Sequence, residues 1–171
     1  MRKYEGKIAE EYDRQRRNNK AYQWQQQIVE AILLKHKPPR ILDAPIGTGR
    51  FLPVYRQFPC VVLGLDISLD MIHQAKHKKT PDNVILLFGD IFDIGWPEFV
   101  VCTRFFGHLN NSKKQLLFSK IESRLLLSHG PDAYQYFRLH NLNILETAEY
   151  GDGKHYVSLI ERSRDVRAGT D

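Results

Sequence analysis

Three carboxylates and a glycine turn are the residues of this sequence best placed to do chemistry. Asp43 closes the apolar residues 41–42, Asp66 closes residues 60–65, and Asp90 follows residues 83–88 after one glycine. Acids at the tips of buried strands can accept hydrogen bonds from ribose hydroxyls or an adenine amino group. Asp66 stands roughly 20 residues beyond Asp43, the spacing of a ribose-binding acid. Between them, Gly47 and Gly49 allow positive φ and carry no Cβ. The backbone can therefore turn sharply and approach a ligand closely at the start of the next helix. The competing role for Asp66 is structural, as cap of a helix beginning near Ser68, although Ser68 or Asp70 can fill that role instead.

The neighbouring residues separate the possible adenosine ligands. A dinucleotide fingerprint needs a third glycine where Leu52 stands, and a phosphate-binding loop needs Lys then Ser or Thr where Arg50 and Phe51 stand. An adenosine ligand without phosphate remains, and S-adenosyl-L-methionine meets that description. With residues 41–50, 61–66 and 89–90 in this order, the chain resembles the class I S-adenosylmethionine-dependent methyltransferases. Residues 100–109 resemble the family's fourth strand and the helix after it, and residues 8–13 resemble the segment that closes over the cofactor. The resemblance implies that Asp43, Pro45, Gly47, Gly49, Asp66 and Ile67 bind cofactor from the first two motifs. It implies the same of Met71, Asp90, Ile91 and Thr103, with Tyr12 and Arg16 at the methionine end. Pro45 is a departure, since the family usually has glycine there; proline stiffens the loop and removes a donor.

Methyl transfer from a sulfonium is an in-line displacement, so holding nucleophile, methyl and sulfur collinear supplies much of the catalysis. A base is required only when the acceptor arrives protonated. His108, just beyond the fourth strand where the family's acceptor sits, is the candidate, with an ordinary pKa near the working range; its competing role is packing. Arg104 is placed to bind an acidic acceptor or the cofactor carboxylate, and His140 is a weaker second base. Base-amine methyltransferases carry Asn or Asp, Pro, Pro and an aromatic after the fourth strand, where this chain has Cys102, Thr103, Arg104 and Phe105. The expected acceptor is a small molecule. Two rivals use the same pocket: a cofactor-binding sensor that has lost transfer, motivated by Pro45 and by a missing insertion between the fifth and sixth strands, and an enzyme that cleaves the sulfonium.

The 171 residues carry a net charge of +5, which permits a nucleic-acid partner without supplying a motif for one. The basic residues 76–79 read as a solvated helix end. No apolar run is long enough to span a bilayer and the N-terminus lacks a signal-peptide core, so a cytoplasmic protein with no membrane partner is expected. Cys60 and Cys102 form no metal pattern and read as buried thiols; no metal is expected.

Alternating elements predict an α/β fold: one domain over 1–171, doubly wound on a mostly parallel seven-stranded sheet with a terminal antiparallel strand. Residues 1–37 form an N-terminal helical cap and 162–171 a disordered tail. Helices are expected over 22–36, 50–58, 68–79 and 112–127, with residues 133–139 as a strand and 144–150 and 154–161 as a hairpin. On that reading residues 141–143 leave no room for a helix between the fifth and sixth strands. The substrate side is then open, or completed by the N-terminal segment or another subunit.

Overall fold

The computed structural model describes residues 4–151 and 153–163. Helices α1 (Lys7–Arg16) and α2 (Lys20–His36) precede the first strand, β1 (Arg40–Asp43). A glycine turn leads to the one-turn helix α3 (Leu52–Tyr55), which tolerates Pro53 because a first turn lacks partners for its N–H groups anyway. Then come β2 (Val61–Asp66), α4 (Leu69–Lys76), β3 (Val84–Phe88) and β4 (Phe99–Cys102). A 3-10 turn at Phe106–His108, α5 (Asn111–Ser119), β5 (Arg124–His129), α6 (Ala133–Leu139), β6 (Leu142–Tyr150) and β7 (His155–Arg162) complete the chain order.

All seven strands form one sheet in the order β3-β2-β1-β4-β5-β7-β6. Strands β1 to β5 pair in parallel, and β7, last in sequence, is inserted antiparallel between β5 and β6. The doubly wound, mostly parallel α/β fold expected from the alternation is the fold observed. Successive strand residues face opposite sides, so a strand covered on both faces must be apolar throughout. Ile41, Val101, Leu126 and Leu159 pack with Val29, Leu33 and Tyr55 from α2 and α3. Their neighbours Leu42, Val100, Leu125 and Leu127 pack on Phe106, Phe118, Tyr136 and Phe137 on the other face. Strand order reverses between β1 and β4, the switch point outside which open α/β sheets bind ligands.

The second half departs from the expected elements. The helix predicted over 112–127 stops at Ser119, and Leu125, Leu126 and Leu127 become the centre of β5, each 0% exposed. Three consecutive leucines need apolar cover on both sides, which a central strand supplies and a surface helix does not. Residues 133–139, expected as a strand, form α6. Ala133, Tyr136 and Phe137 share its buried face, with the Tyr136 ring stacked on Phe118 at 5.7 Å between centroids. A helix thus does join the fifth and sixth strands, and His140 ends it instead of following a strand.

Residue 162, expected to open the tail, belongs to the sheet. Arg162 closes β7 and its guanidinium donates to the carbonyls of Ile121, Phe118 and Ser119 at 2.8–3.3 Å. Residues 164–171 of that expectation lie outside the described residues. Cys60 and Cys102 are buried free thiols. Among the described residues no helix is long and apolar enough to cross a membrane.

Candidate cofactor and acceptor site

The glycine turn is pinned between two strands. The Ala44 N–H donates to the Val101 carbonyl of β4 and the Ile46 N–H to the Leu65 carbonyl of β2, both at 2.9 Å. Gly47 (φ 58°) and Gly49 (φ 73°) adopt the left-handed conformation that favours glycine. They are needed for different reasons. A Cβ on Gly49 would stand 2.5 Å from Leu52 Cδ1, whereas one on Gly47 would meet no protein atom within 4 Å. Gly49 lets α3 pack closely; Gly47 keeps open the space above the turn.

Asp66 faces that space from the tip of β2. Its Oδ2 accepts the Gly47 N–H and its Oδ1 the Ser68 N–H, both at 2.9 Å. Burial raises its pKa, opposed by the backbone N–H groups of Ser68, Gly47 and Ile67. The cap of α4 is Ser68, whose hydroxyl accepts the Met71 N–H at 3.3 Å. Asp66 is therefore fixed in orientation, with lone pairs left over for a ligand.

A cavity of ≈ 490 Å³ extends from Asp66 across the strand tips. This is within the range of small-molecule and cofactor sites. Of the residues the sequence singled out, Tyr12, Pro45, Gly47, Asp66, Ile67 and Met71 line it on one side. Asp90, Ile91, Thr103, Arg104 and His108 line the remainder. His140 lies elsewhere, and three of the expected cofactor-binding residues do not reach its wall. Gly49 lies beneath the turn, and Arg16 stacks on the Tyr12 ring, 3.6 Å from its centroid. Asp43 is 1% exposed and accepts the Tyr55 hydroxyl at 2.9 Å. Burial pushes its pKa up to about 7.

The N-terminal segment crosses the cavity. Ser68 Oγ donates to the Tyr4 carbonyl and the Gly6 N–H to Asp70, each at 2.6 Å. The Tyr4 hydroxyl reaches His108 Nε2 at 3.3 Å, and Thr48 Oγ1 donates to Asp13 at 2.7 Å. At the opposite end, Lys113 Nζ lies 3.9 Å from Asp90 Oδ2.

Sequence reasoning missed Arg50, using it only as evidence against a phosphate-binding loop. It lines the cavity, 4.2 Å from the Tyr22 ring centroid, and Nη2 donates to Gln25 Oε1 at 2.7 Å. Its Nε and Nη1 are buried without a hydrogen-bond partner. Arg104 approaches the same Tyr22 ring at 5.5 Å. Its backbone is left-handed (φ 57°), held by a 2.7 Å bond from its N–H to Ser128 Oγ. The signal available in sequence was an arginine directly after the second glycine, but nothing there placed α2 beside it. Among the described residues no cluster of His, Cys, Asp and Glu is arranged to hold a metal.

Known proteins share this arrangement. The methyltransferase domain family matches residues 41–128, from β1 through most of β5. The fold is similar to that of magnesium protoporphyrin IX methyltransferase from Synechocystis PCC 6803, crystallised with S-adenosylhomocysteine (TM-score 0.71, 18% identity, 84% of each chain). It is also similar to a TehB-like S-adenosylmethionine-dependent methyltransferase from Corynebacterium glutamicum (TM-score 0.64, 17% identity, covering 91% of this chain and 98% of that one). A small RNA 2′-O-methyltransferase of Mus musculus is 27% identical over 62 residues, which is 35% of this chain. The match spans only 16% of that protein's length. With its family match running through the strand tips that wall the cavity, the chain belongs to the methyltransferase domain family, whose cofactor is S-adenosyl-L-methionine.

Proposed function

We propose that this protein transfers the methyl group of S-adenosylmethionine to a small-molecule acceptor bound beside Arg104 and His108. The observation that carries the reading is the pairing of Asp66 with Gly47. The acid is already oriented by two backbone N–H groups, and the glycine beside it projects nothing into the cavity. These features fit a nucleoside: the ribose hydroxyls donate to Asp66, and the adenine lies among Ile67, Met71 and Ile91 with its amino group toward Asp90. Tyr12 and Thr103 contact the methionine end. Gly49, Asp43 and Arg16 contribute indirectly, by shaping the turn, anchoring Tyr55 beneath it and holding Tyr12.

The cofactor supplies an electrophilic methyl on a positively charged sulfur. The protein's part is to hold the acceptor atom in line with the C–S bond, which breaks as the new bond to methyl forms. When the acceptor arrives protonated, His108 accepts that proton, the acceptor displacing the Tyr4 hydroxyl that meets Nε2 at 3.3 Å. The N-terminal strap over the cavity favours a small acceptor over a polymer. The helix whose absence would have left the substrate side open is present as α6, which removes one motive for a sensor without transfer activity.

The test is incubation with S-adenosylmethionine and a panel of small acids, amines, phenols and thiols, following S-adenosylhomocysteine. Acceptor-dependent product supports transfer. Binding without product across the panel favours the sensor, and breakdown of the cofactor alone favours cleavage.

A further inference from the structure

Beyond the cofactor, the end of the cavity over β4 is built to receive a negative charge. Arg50 and Arg104 come from different loops yet both approach one aromatic ring, at 4.2 and 5.5 Å from the centroid of Tyr22. Like charges repel, and each guanidinium weakens the other's protonated form; Arg50 is shifted down by burial, which Tyr22 opposes, with a smaller downward push from Arg104. Among the described residues neither is ion-paired. The support beneath them is polar and ordered: Arg50 donates to Gln25, and Gln25 Nε2 donates to the Tyr150 hydroxyl at 2.6 Å. Arg104 holds a strained left-handed backbone, fixed by Ser128. Such strain persists where the surroundings over-determine it, and it is concentrated at ligand-binding positions.

The acids lining the cavity do not answer this charge, and Asp43, which feels Arg50 from beneath the turn, is bonded to Tyr55 and has its pKa pushed up to about 7 by burial. Asp66 belongs to the turn and α4, Asp90 lies opposite Lys113, and Glu5 belongs to the segment tied down at Ser68 and Asp70. Bound S-adenosylmethionine adds a sulfonium and an ammonium against one carboxylate, which increases the positive excess. Arg50 is half-buried, with its Nε and Nη1 buried and unsatisfied, while Arg104 is exposed at the mouth, where a molecule entering and leaving in each turnover meets it.

We infer that the methyl acceptor carries a carboxylate, held between the guanidiniums of Arg50 and Arg104 beside Tyr22; this rests on the methyltransferase reading above. A planar guanidinium presents paired donors that match a carboxylate, and a hydrogen bond to a charged partner is stronger than a neutral one.

The test is calorimetry on the full chain saturated with S-adenosylhomocysteine, titrated with acetate, benzoate and 3-phenylpropionate, each against its primary amide. The expected result is at least one acid binding tenfold or more tighter than its amide. Arg104→Gln, at an exposed position, reduces that preference below threefold while S-adenosylhomocysteine affinity changes by less than threefold, and Arg104→Lys restores part of it. Equal binding of acids and amides by the loaded wild type overturns this proposal alone, as does a preference that survives Arg104→Gln. If Arg104→Gln weakens S-adenosylhomocysteine tenfold but leaves methylthioadenosine unchanged, the occupant is the cofactor's own carboxylate and the proposal falls. If wild-type protein binds no S-adenosylhomocysteine, the methyltransferase reading falls and takes this one with it.

Discussion

The two halves of the cavity are finished to different degrees. At the β2 end the acid is anchored, with both oxygens of Asp66 engaged by backbone N–H groups and its neighbour Ser68 capping α4. At the β4 end Arg50 keeps two buried nitrogens unpartnered, and Arg104 sits in a strained conformation over the same aromatic ring. A carboxylate oriented by the fold is ready to accept from neutral hydroxyls. A guanidinium left unsatisfied, as in Arg50, carries a desolvation cost that an anion would relieve. On the proposed reading, the difference separates a half preformed for the nucleoside from a half completed only when its ligand arrives.

Asp43 lies under both halves, and its charge gives the largest expected effect. Its folded pKa of about 7 is above the ordinary carboxylate value of 3.8. The folded state therefore holds a proton that the unfolded state has released, and stability falls as pH rises from about 4 to about 7. A shift of roughly three units corresponds to about 4 kcal/mol. Asp43→Asn is expected to flatten most of that decline in urea titrations at stepped pH, leaving a shallower slope from Asp66, which is shifted in the same direction.

Breaking the finished half comes next. Asp66→Ala removes two charge-assisted bonds to the ribose, about 3 kcal/mol together, so S-adenosylhomocysteine affinity should fall about 100-fold in calorimetry. Unchanged affinity would refute the ribose assignment. Gly49→Ala tests the turn that joins the halves. The left-handed φ and the approach to Leu52 predict a loss of about 2 kcal/mol in thermal or urea unfolding, with Gly47→Ala costing less stability but more affinity. The smallest effect is expected from Ser68→Ala. Loss of the α4 cap costs about 1 kcal/mol, and loss of the bond to the Tyr4 carbonyl should show as faster amide exchange in the strap.

The first half of the molecule was legible because its signals are local. Apolar runs end in acids, Gly47 and Gly49 mark the turn, and Pro53 falls where a helix tolerates it. The second half was not, because periodicity alone cannot separate a buried strand from a buried helical stretch. Leu125, Leu126 and Leu127 continue the spacing of α5, and only their place between β4 and β7 makes them a strand. In α6 the residues Tyr134, Tyr136 and Phe137 have strand-like composition, and packing on Phe118 selects the helix. The site divides the same way. Eleven of the fifteen residues singled out line the cavity, His140 not among them, whereas Arg50 emerged only when α2 was seen beside the glycine turn, a contact between distant parts of the chain.

The central claim is that the strand-tip cavity grips a sulfonium nucleoside through Asp66 and the glycine turn. Titration calorimetry of the full chain with S-adenosylhomocysteine tests it most directly. One-to-one binding with measurable heat is the predicted result; no heat from a sample that unfolds cooperatively would contradict it.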